Sequence, residues 1–112
     1  SIMSEINLHF DVHCQKPDWV STHPDKKYNL SRYRIYVDDN LLTERNWIWN
    51  NNILLNENIW IRSELNYTHT LKLIPVVYIP EQANFSINNF KVTNLEADST
   101  KINDLQVNFI LR

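Results

Sequence analysis

Apolar and polar residues alternate strictly in the first segment of the chain. Ile6, Leu8, Phe10 and Val12 lie on one side of this alternation, and polar residues from Glu5 to His13 lie on the other. A period of two residues is typical of a strand with one buried face and one face in water. The pattern therefore predicts a half-buried strand at the start of the chain.

Residues 32–37 and 41–49 repeat this alternation on either side of Asp38-Asp39-Asn40, which predicts an antiparallel hairpin. A three-residue turn places Arg34 opposite Glu44, so opposite charges meet on the polar face. Such turns often end in a left-handed residue, and Asn40 is the best substitute for the glycine that the chain lacks. We therefore expect Asn40 to have a positive φ.

Further strands are indicated at 59–62, 68–79, 85–92 and 105–111. Pro75 predicts that the second of these is broken or lies at an edge, and Asn88-Asn89 predicts a bulge or a register shift. No helical period is evident. The expected fold class is all-β, an antiparallel β-sandwich of about seven or eight strands, of the jelly-roll or immunoglobulin-like kind.

Residues 14–30 have no sustained period and contain Pro17 and Pro24, which predicts a long ordered loop. Trp19 within it would either anchor a partner or fold back to plug one end of the sandwich. The stretch 16–24 is accordingly the first candidate for a protein contact.

The composition limits the function. A chain of 112 residues with 43% hydrophobic residues fits one domain, 1–112. The net charge of -2, with acidic and basic residues scattered, argues against nucleic acid, and the short apolar runs argue against a membrane span. Cys14 is the single cysteine and no secretion signal is evident, which favours synthesis in a reducing cytoplasm.

Asparagine is unusually abundant, with 16 residues, and glycine is absent. Asn adopts the left-handed region more readily than other residues that carry a side chain. We therefore expect Asn at some of the positions where other chains use Gly.

Two groups of side chains could hold a cation. His9, Asp11 and His13 share one face of the first strand, and Asp38 and Asp39, together with Glu44, supply hard oxygen ligands. Neither group has the complete spacing of a recognised metal site. The chain is predicted to have no metal and no cofactor.

No catalytic motif is present, because the sequence lacks a nucleophile elbow, a phosphate-binding glycine loop and a metalloprotease helix. An enzyme is not expected. The four tryptophans Trp19, Trp47, Trp49 and Trp60 are the candidate binding residues, since exposed rings would stack on sugars or anchor a protein interface. The face that Trp47 and Trp49 share with Ile35 and Val37 favours the core for these two.

The segment YRIYVDDNLLTERNWIW (33–49), followed by THTLKL (68–73) and FSINNFKV (85–92), resembles small β-sandwich proteins encoded by phages of marine cyanobacteria. The resemblance covers about two thirds of the chain and brings no catalytic or binding residues. It implies a virion-associated protein made in the host cytoplasm, a capsid decoration or tail component. The implied partners are viral structural proteins or further copies of the chain.

The order of a VDxxLL-type hairpin, an HTLKL strand and a strand near the end is also similar to carbohydrate-binding modules of jelly-roll type. The leading hypothesis is a non-enzymatic virion protein that acts through protein contacts. The alternative is a carbohydrate-binding module that stacks sugars on its tryptophans.

Overall fold

The computed structural model describes residues 2–15, 30–48, 54–77 and 84–112. These residues form eight strands, named here in chain order: β1 Met3–Gln15, β2 Leu30–Val37, β3 Asn40–Ile48, β4 Leu54–Glu64, β5 Thr68–Val77, β6 Asn84–Val92, β7 Ala97–Asn103 and β8 Gln106–Leu111. No helix that could cross a membrane occurs among them.

The strands form two antiparallel sheets that pack face to face. The smaller sheet has the order β4-β1-β6, and the larger has the order β3-β2-β5-β8-β7. This arrangement confirms the predicted antiparallel β-sandwich of about eight strands. The long loop expected at 14–30 begins later than predicted, because Cys14 and Gln15 continue β1. Residues 16–29, with Trp19 and the candidate contact 16–24, lie outside the described residues.

The core lies between the sheets and follows from the alternation within each strand. Ile6, Leu8, Phe10 and Val12 are fully buried, as their period predicts. Cys14 of β1 is buried as well, and the other buried apolar side chains among the described residues come from five further strands: Tyr33, Ile35, Val37, Trp47, Leu71, Leu73, Phe85, Ile87, Val107, Phe109 and Leu111. The burial of Trp47 confirms the core position that its sequence face favoured.

The β2–β3 hairpin differs from the predicted turn. Asp38 and Asp39 have φ of 50° and 66°, and Asn40 is not among the residues with positive φ, so the expected left-handed Asn40 is wrong. Val37 pairs with Asn40 across a two-residue turn. Two successive residues with positive φ are the requirement of the turn that best fits the twist of a hairpin.

A bulge restores the predicted register further along the hairpin. Tyr36 pairs with Leu41 and Ile35 pairs with Thr43, so Leu42 is the extra residue of β3. Beyond it Arg34 lies opposite Glu44, as the charge pairing predicted. The predicted pairs of Ile35 with Thr43 and of Arg34 with Glu44 are therefore confirmed. The extra residue lies in β3 and not in the turn, so the pairing of Val37 with Leu41 that a three-residue turn predicts is wrong.

Asparagine does replace glycine elsewhere. Asn66, in the turn between β4 and β5, has φ of 64°, and Asn89 has φ of 54°. Asn89 lies where the pairing of β1 with β6 shifts, which confirms the bulge predicted at Asn88-Asn89. Asparagine thus supplies the positive φ at the β4–β5 turn and at the bulge of β6, where glycine is the usual residue.

Pro75 lies within β5 and opposite Tyr33. The backbone N–H of Leu73 donates to the carbonyl of Leu105 on the β8 side, so the nitrogen of residue 75 points to that side too. Among the described residues, β8 pairs with β5 no further than this point. Pro75 thus occupies a local edge, one of the two outcomes that its presence predicted.

Candidate binding surface

The outer face of the three-stranded sheet carries Trp60, a residue that is 60% exposed. Trp60 lies on β4 opposite Asn7 of β1, and its neighbours Asn58 and Arg62 lie opposite His9 and Glu5. These six side chains point to the same side because outward positions alternate along each strand. We call this surface the Trp60 face.

The polar part of the Trp60 face is held in place by a network of amides. The Asn7 side-chain amide donates to Asn58 Oδ1 (2.5 Å), and the Asn7 backbone N–H donates to Asn94 Oδ1 (2.9 Å). Thr93 donates its hydroxyl proton to Asn7 Oδ1, and the Asn94 amide donates to the Glu5 carbonyl (2.9 Å). Side chains ordered in this way lose little further entropy when a partner binds.

Trp47, the other tryptophan among the described residues, does not join Trp60. Trp47 is 2% exposed and packs edge-on against Phe85, with ring centroids 5.9 Å apart. Trp19 and Trp49 lie outside the described residues. Trp60 is therefore the tryptophan for which the structure shows an exposed ring.

A cleft of about 310 Å³ opens near the end of β4, beyond the Trp60 face. Met3 and Tyr67, two exposed apolar residues, and Arg62 contribute to its wall. The complete lining is Met3, Asp38, Arg62, Ser63, Glu64, Tyr67, Thr68 and His69. The cleft thus continues the Trp60 face through Arg62.

Ser63, His69 and Asp38 meet in this cleft, and these are the residue types of a hydrolytic triad. His69 Nδ1 lies 2.5 Å from Asp38 Oδ2, and Ser63 Oγ lies 3.4 Å from Nε2 and 3.5 Å from Nδ1. An oxygen bonded to Nε2 in the ring plane would be much farther from Nδ1, so the hydroxyl lies over the ring face. It is not placed to give its proton to the ring.

The remaining contact of His69 also argues against a catalytic base. Nε2 lies 2.8 Å from the Glu64 carbonyl, which can only accept, so this nitrogen carries a proton. A general base needs a lone pair directed at the nucleophile. In this arrangement His69 joins the β2–β3 turn to β4 and does not activate Ser63.

The oxygen ligands considered for a cation are used in separate contacts. Asp38 accepts from the Thr70 backbone N–H (2.9 Å) as well as from His69, and Glu44 accepts from Arg34 (2.6 Å). Hydrogen bonding to Arg34 lowers the pKa of Glu44. Asp39 is 92% exposed and has Lys72 at 4.0 Å.

The candidates on β1 are likewise spread along an outer sheet face. Asp11 accepts a hydrogen bond from the Asn89 amide (2.9 Å), and it separates His9 from His13 along the strand. Within the described ranges, no three side chains of His, Cys, Asp or Glu come close enough together to hold a metal.

A buried carboxylate was missed by the sequence argument. Glu57 is 0% exposed and accepts from the Tyr33 hydroxyl (2.7 Å) and from Arg45 Nε (2.7 Å) and Nη2 (3.1 Å). Burial and the hydrogen bond to Glu57 raise the pKa of Tyr33, and the same carboxylate raises that of Arg45. The sequence does contain a signal for this buried charge. If β4 starts at Leu54, the alternating residues Leu55, Glu57, Ile59 and Ile61 share the inward face, so Glu57 lies on that face with apolar neighbours.

No family model, curated protein or solved structure matches this chain. The described residues define a class of protein: an antiparallel β-sandwich of eight strands that exposes Trp60 on a preorganised sheet face.

Proposed function

We propose that this chain is a non-enzymatic binding domain whose Trp60 face contacts another protein. The observation that supports it is the exposed Trp60 ring on a sheet whose neighbouring amides are already hydrogen-bonded. Trp and Arg are enriched among residues that dominate binding energy at protein interfaces. Trp60 and Arg62 are adjacent outward positions of one strand and could enter a partner together.

Rigidity adds to this argument. Strands β1 and β4, which carry Asn7 and Asn58, pair in a regular antiparallel register, and the two side chains are hydrogen-bonded. The surface around Trp60 is therefore formed before a partner binds. Burying the exposed indole would then provide apolar area at small conformational cost. The proposed interface has Trp60 at its centre and Glu5, Arg62 and His9 at its polar rim.

The setting proposed for this contact is a virion. It rests only on the likeness to phage β-sandwich proteins inferred from the sequence of residues 33–49, 68–73 and 85–92, to which the comparisons with known proteins add no match. The proposed role is capsid decoration or a tail component. In that role Trp60 would attach the domain to another viral structural protein.

The test compares variants in particles assembled in infected cells. Copies of the chain per purified particle are counted by mass spectrometry for the wild type, for Trp60→Ala, and for Ile74→Ala, which removes an exposed apolar side chain from the other sheet. Trp60→Ala should reduce incorporation at least about tenfold with an unchanged melting temperature, whereas Ile74→Ala should have no effect. Equal incorporation of Trp60→Ala would exclude the Trp60 face, and particles without the chain would exclude the virion role.

Carbohydrate is the second candidate ligand, favoured by the amide of Asn58 and the ring of His9 beside Trp60. An aromatic ring bordered by hydrogen-bonding side chains suits a sugar with one apolar face. Titration of soluble oligosaccharides, followed by calorimetry, separates the two ligands. Saturable heat that disappears in Trp60→Ala would establish the sugar site in place of a protein contact.

A further inference from the structure

The cleft near the end of β4 is lined by side chains of both charges and by the exposed ring of Tyr67. Its volume of about 310 Å³ is at the lower end of the range for small-ligand sites. Arg62 supplies the positive charge, and Asp38 and Glu64 supply the carboxylates. The cleft therefore offers donors, acceptors and an aromatic surface to the same small volume.

The guanidinium of Arg62 is the donor that the fold leaves available. It forms no hydrogen bond or ion pair with any other described residue, although Glu5 lies opposite on β1. A guanidinium presents its N–H groups in a fixed planar fork, so it can serve two neighbouring oxygen atoms of one ligand. The wall of the cleft thus has a strong donor with unused capacity.

The acceptors of the cleft are carboxylates, one of which His69 holds in place. Asp38 Oδ2 lies 2.5 Å from His69 Nδ1, and Asp38 Oδ1 accepts from the Thr70 backbone N–H (2.9 Å). A carboxylate has roughly four acceptor positions, so Asp38, with its side chain 40% exposed, can accept from another donor as well. The carboxylate of Glu64 forms no hydrogen bond or ion pair with any described residue. Both groups can therefore accept from a ligand.

Tyr67 lies in the turn between β4 and β5 and is 55% exposed. Two backbone hydrogen bonds tie this turn to the sandwich: the N–H of Leu65 donates to the carbonyl of Ile2 (3.0 Å), and the N–H of Asn66 donates to the carbonyl of Leu111 (3.0 Å). A turn that is already fixed loses little entropy when a ligand binds. An exposed ring bordered by polar groups suits a ligand with one apolar face.

The mixture of charges selects the class of ligand. A carboxylate or phosphate would pair with Arg62 but would also approach Asp38 and Glu64, and an ammonium group would meet the reverse conflict. A neutral molecule with several hydroxyl groups avoids both repulsions, because a hydroxyl donates to a carboxylate and accepts from a guanidinium. A sugar ring has these hydroxyl groups together with an apolar face.

We propose that this cleft binds one neutral pyranose ring of a carbohydrate, stacked on Tyr67. Arg62 donates to hydroxyl oxygens of the ring, and Asp38 and Glu64 accept from its hydroxyl groups. This site is separate from the Trp60 ring, and sugar binding in it does not require the protein contact proposed for the Trp60 face.

The first experiment follows the backbone amide signals of the purified chain by NMR while a methyl hexopyranoside is added. The neutral probes are the methyl glycosides of glucose, galactose and mannose. Each is compared with its uronide, which carries a carboxylate at C6, and with its protonated 2-amino sugar.

At least one neutral glycoside should shift the signals of Ser63, Tyr67 and Thr68 saturably, since these residues line the cleft. Its two charged derivatives carry their charges at opposite ends of the ring, so at least one of them should bind about tenfold more weakly. The proposal is overturned if no neutral probe gives saturable shifts, or if both charged derivatives bind as tightly as their parent.

The second experiment locates the bound ring by substitution. Tyr67→Ala removes the stacking surface and Arg62→Met removes the donors but keeps an aliphatic stem, so each should weaken binding of that glycoside at least about tenfold at an unchanged melting temperature. Arg34→Met makes the same change on the other sheet and should leave binding unchanged.

Full binding by Tyr67→Ala would overturn the cleft site, and a simultaneous loss of binding in Trp60→Ala would place the sugar on the Trp60 face instead. These titrations use the isolated chain, so their outcome is independent of the particle incorporation that tests the protein contact.

Discussion

Among the described residues, polar contacts join β4 to the larger sheet near each end of that strand, and the two sets are built differently. Near its start, buried Glu57 is held by Arg45 and Tyr33. Near its end, the Glu64 carbonyl is held by His69, which also contacts Asp38. The first contact encloses a full negative charge, whereas the second places its carboxylate at the surface.

The two contacts differ in how well the carboxylate is still satisfied when one of its hydrogen-bond partners is removed. Glu57 has no access to water, so its charge depends on Arg45 and Tyr33. Asp38 is partly exposed and also accepts from Thr70, so water and the backbone can replace His69. The guanidinium of Arg45 is always charged and donates to both carboxylate oxygens of Glu57. The Glu57 contact should therefore be the more costly one to break.

The largest effect is expected for Arg45→Met, which leaves Glu57 buried beside Tyr33 alone. The loss should be about 3 kcal/mol, at the lower end for a broken buried pair because Tyr33 still donates and Arg45 is itself half exposed. Urea unfolding measures it. The control is Arg34→Met, which breaks the surface pair with Glu44 and should barely move the unfolding midpoint.

The double variant Arg45→Met, Glu57→Leu sharpens this result. Replacing both charged partners with apolar side chains removes the buried charge as well as its partner, so most of the lost stability should return. If the double variant were less stable than Arg45→Met, the ion pair itself would be the stabilising element, and the account based on an unpaired charge would be wrong.

The second effect tests the other end of β4 through His69→Phe. Phenylalanine can keep the ring contact with Phe109, now at 5.4 Å, but it donates to neither Asp38 nor Glu64. The expected cost is about 1–2 kcal/mol, less than for Arg45→Met, because Asp38 can turn to water. Asp39→Asn, at the exposed neighbour, is the control and should be neutral. A cost for His69→Phe above that for Arg45→Met would reverse the comparison.

The sequence predicted the elements whose two faces differ and missed those whose faces do not. β1 has a clean alternation and was located to within two residues at each end. β7 was not predicted, because both of its faces meet water and ADSTKIN carries no apolar period. Trp60 was among the candidates, but its exposure depends on which face of β4 turns outward.

The polar contacts of β4 could not be predicted for a related reason. Glu57 meets Arg45 across the two sheets, so the pairing depends on how the sheets are stacked and not on either strand alone. His69 and Asp38 are distant in the sequence and are brought together by the β2–β3 turn beside β5. An alternating pattern in the sequence predicts on which face of a sheet a side chain lies. It does not predict which residue of the other sheet that side chain contacts.

A smaller effect on stability is expected for substitutions in the β2–β3 turn, which contains Asp38 and Asp39. Asp39→Gly should be neutral or slightly stabilising because Asp39 has a positive φ, whereas Asp39→Val should cost about 1 kcal/mol. Asn40→Gly should stabilise nothing, because Asn40 lies in β3 and is paired with Val37. Thermal unfolding of the three variants decides between this turn and one with a left-handed Asn40, for which Asn40→Gly would be the stabilising change.

The reactivity of Cys14 tests the difference between the two ends of β4 most locally, because this thiol becomes accessible when the sandwich opens near Glu57 and not when it opens near His69. It pairs with Phe85, whose ring contacts Tyr33 at 5.5 Å between centroids. Burial raises the pKa of the Cys14 thiol to about 12, which the backbone contact with Asn84 only partly offsets. Alkylation by iodoacetamide at pH 8 should therefore be slow in the folded chain and fast in urea. Arg45→Met should accelerate it in the folded state, and His69→Phe should not.

The same thiol links stability to alkaline pH, with a sign that follows from the direction of its shift. In the unfolded chain Cys14 loses its proton near pH 9, whereas the folded chain retains it up to about pH 12. The folded state binds more protons in this window, so stability is complete below pH 9 and declines as the pH rises toward 12. Cys14→Ala removes this term, and its unfolding free energy in urea should fall less steeply between pH 9 and pH 11 than that of the wild type. Parallel curves for the two proteins would show that the thiol is not buried as the β1–β6 pairing places it.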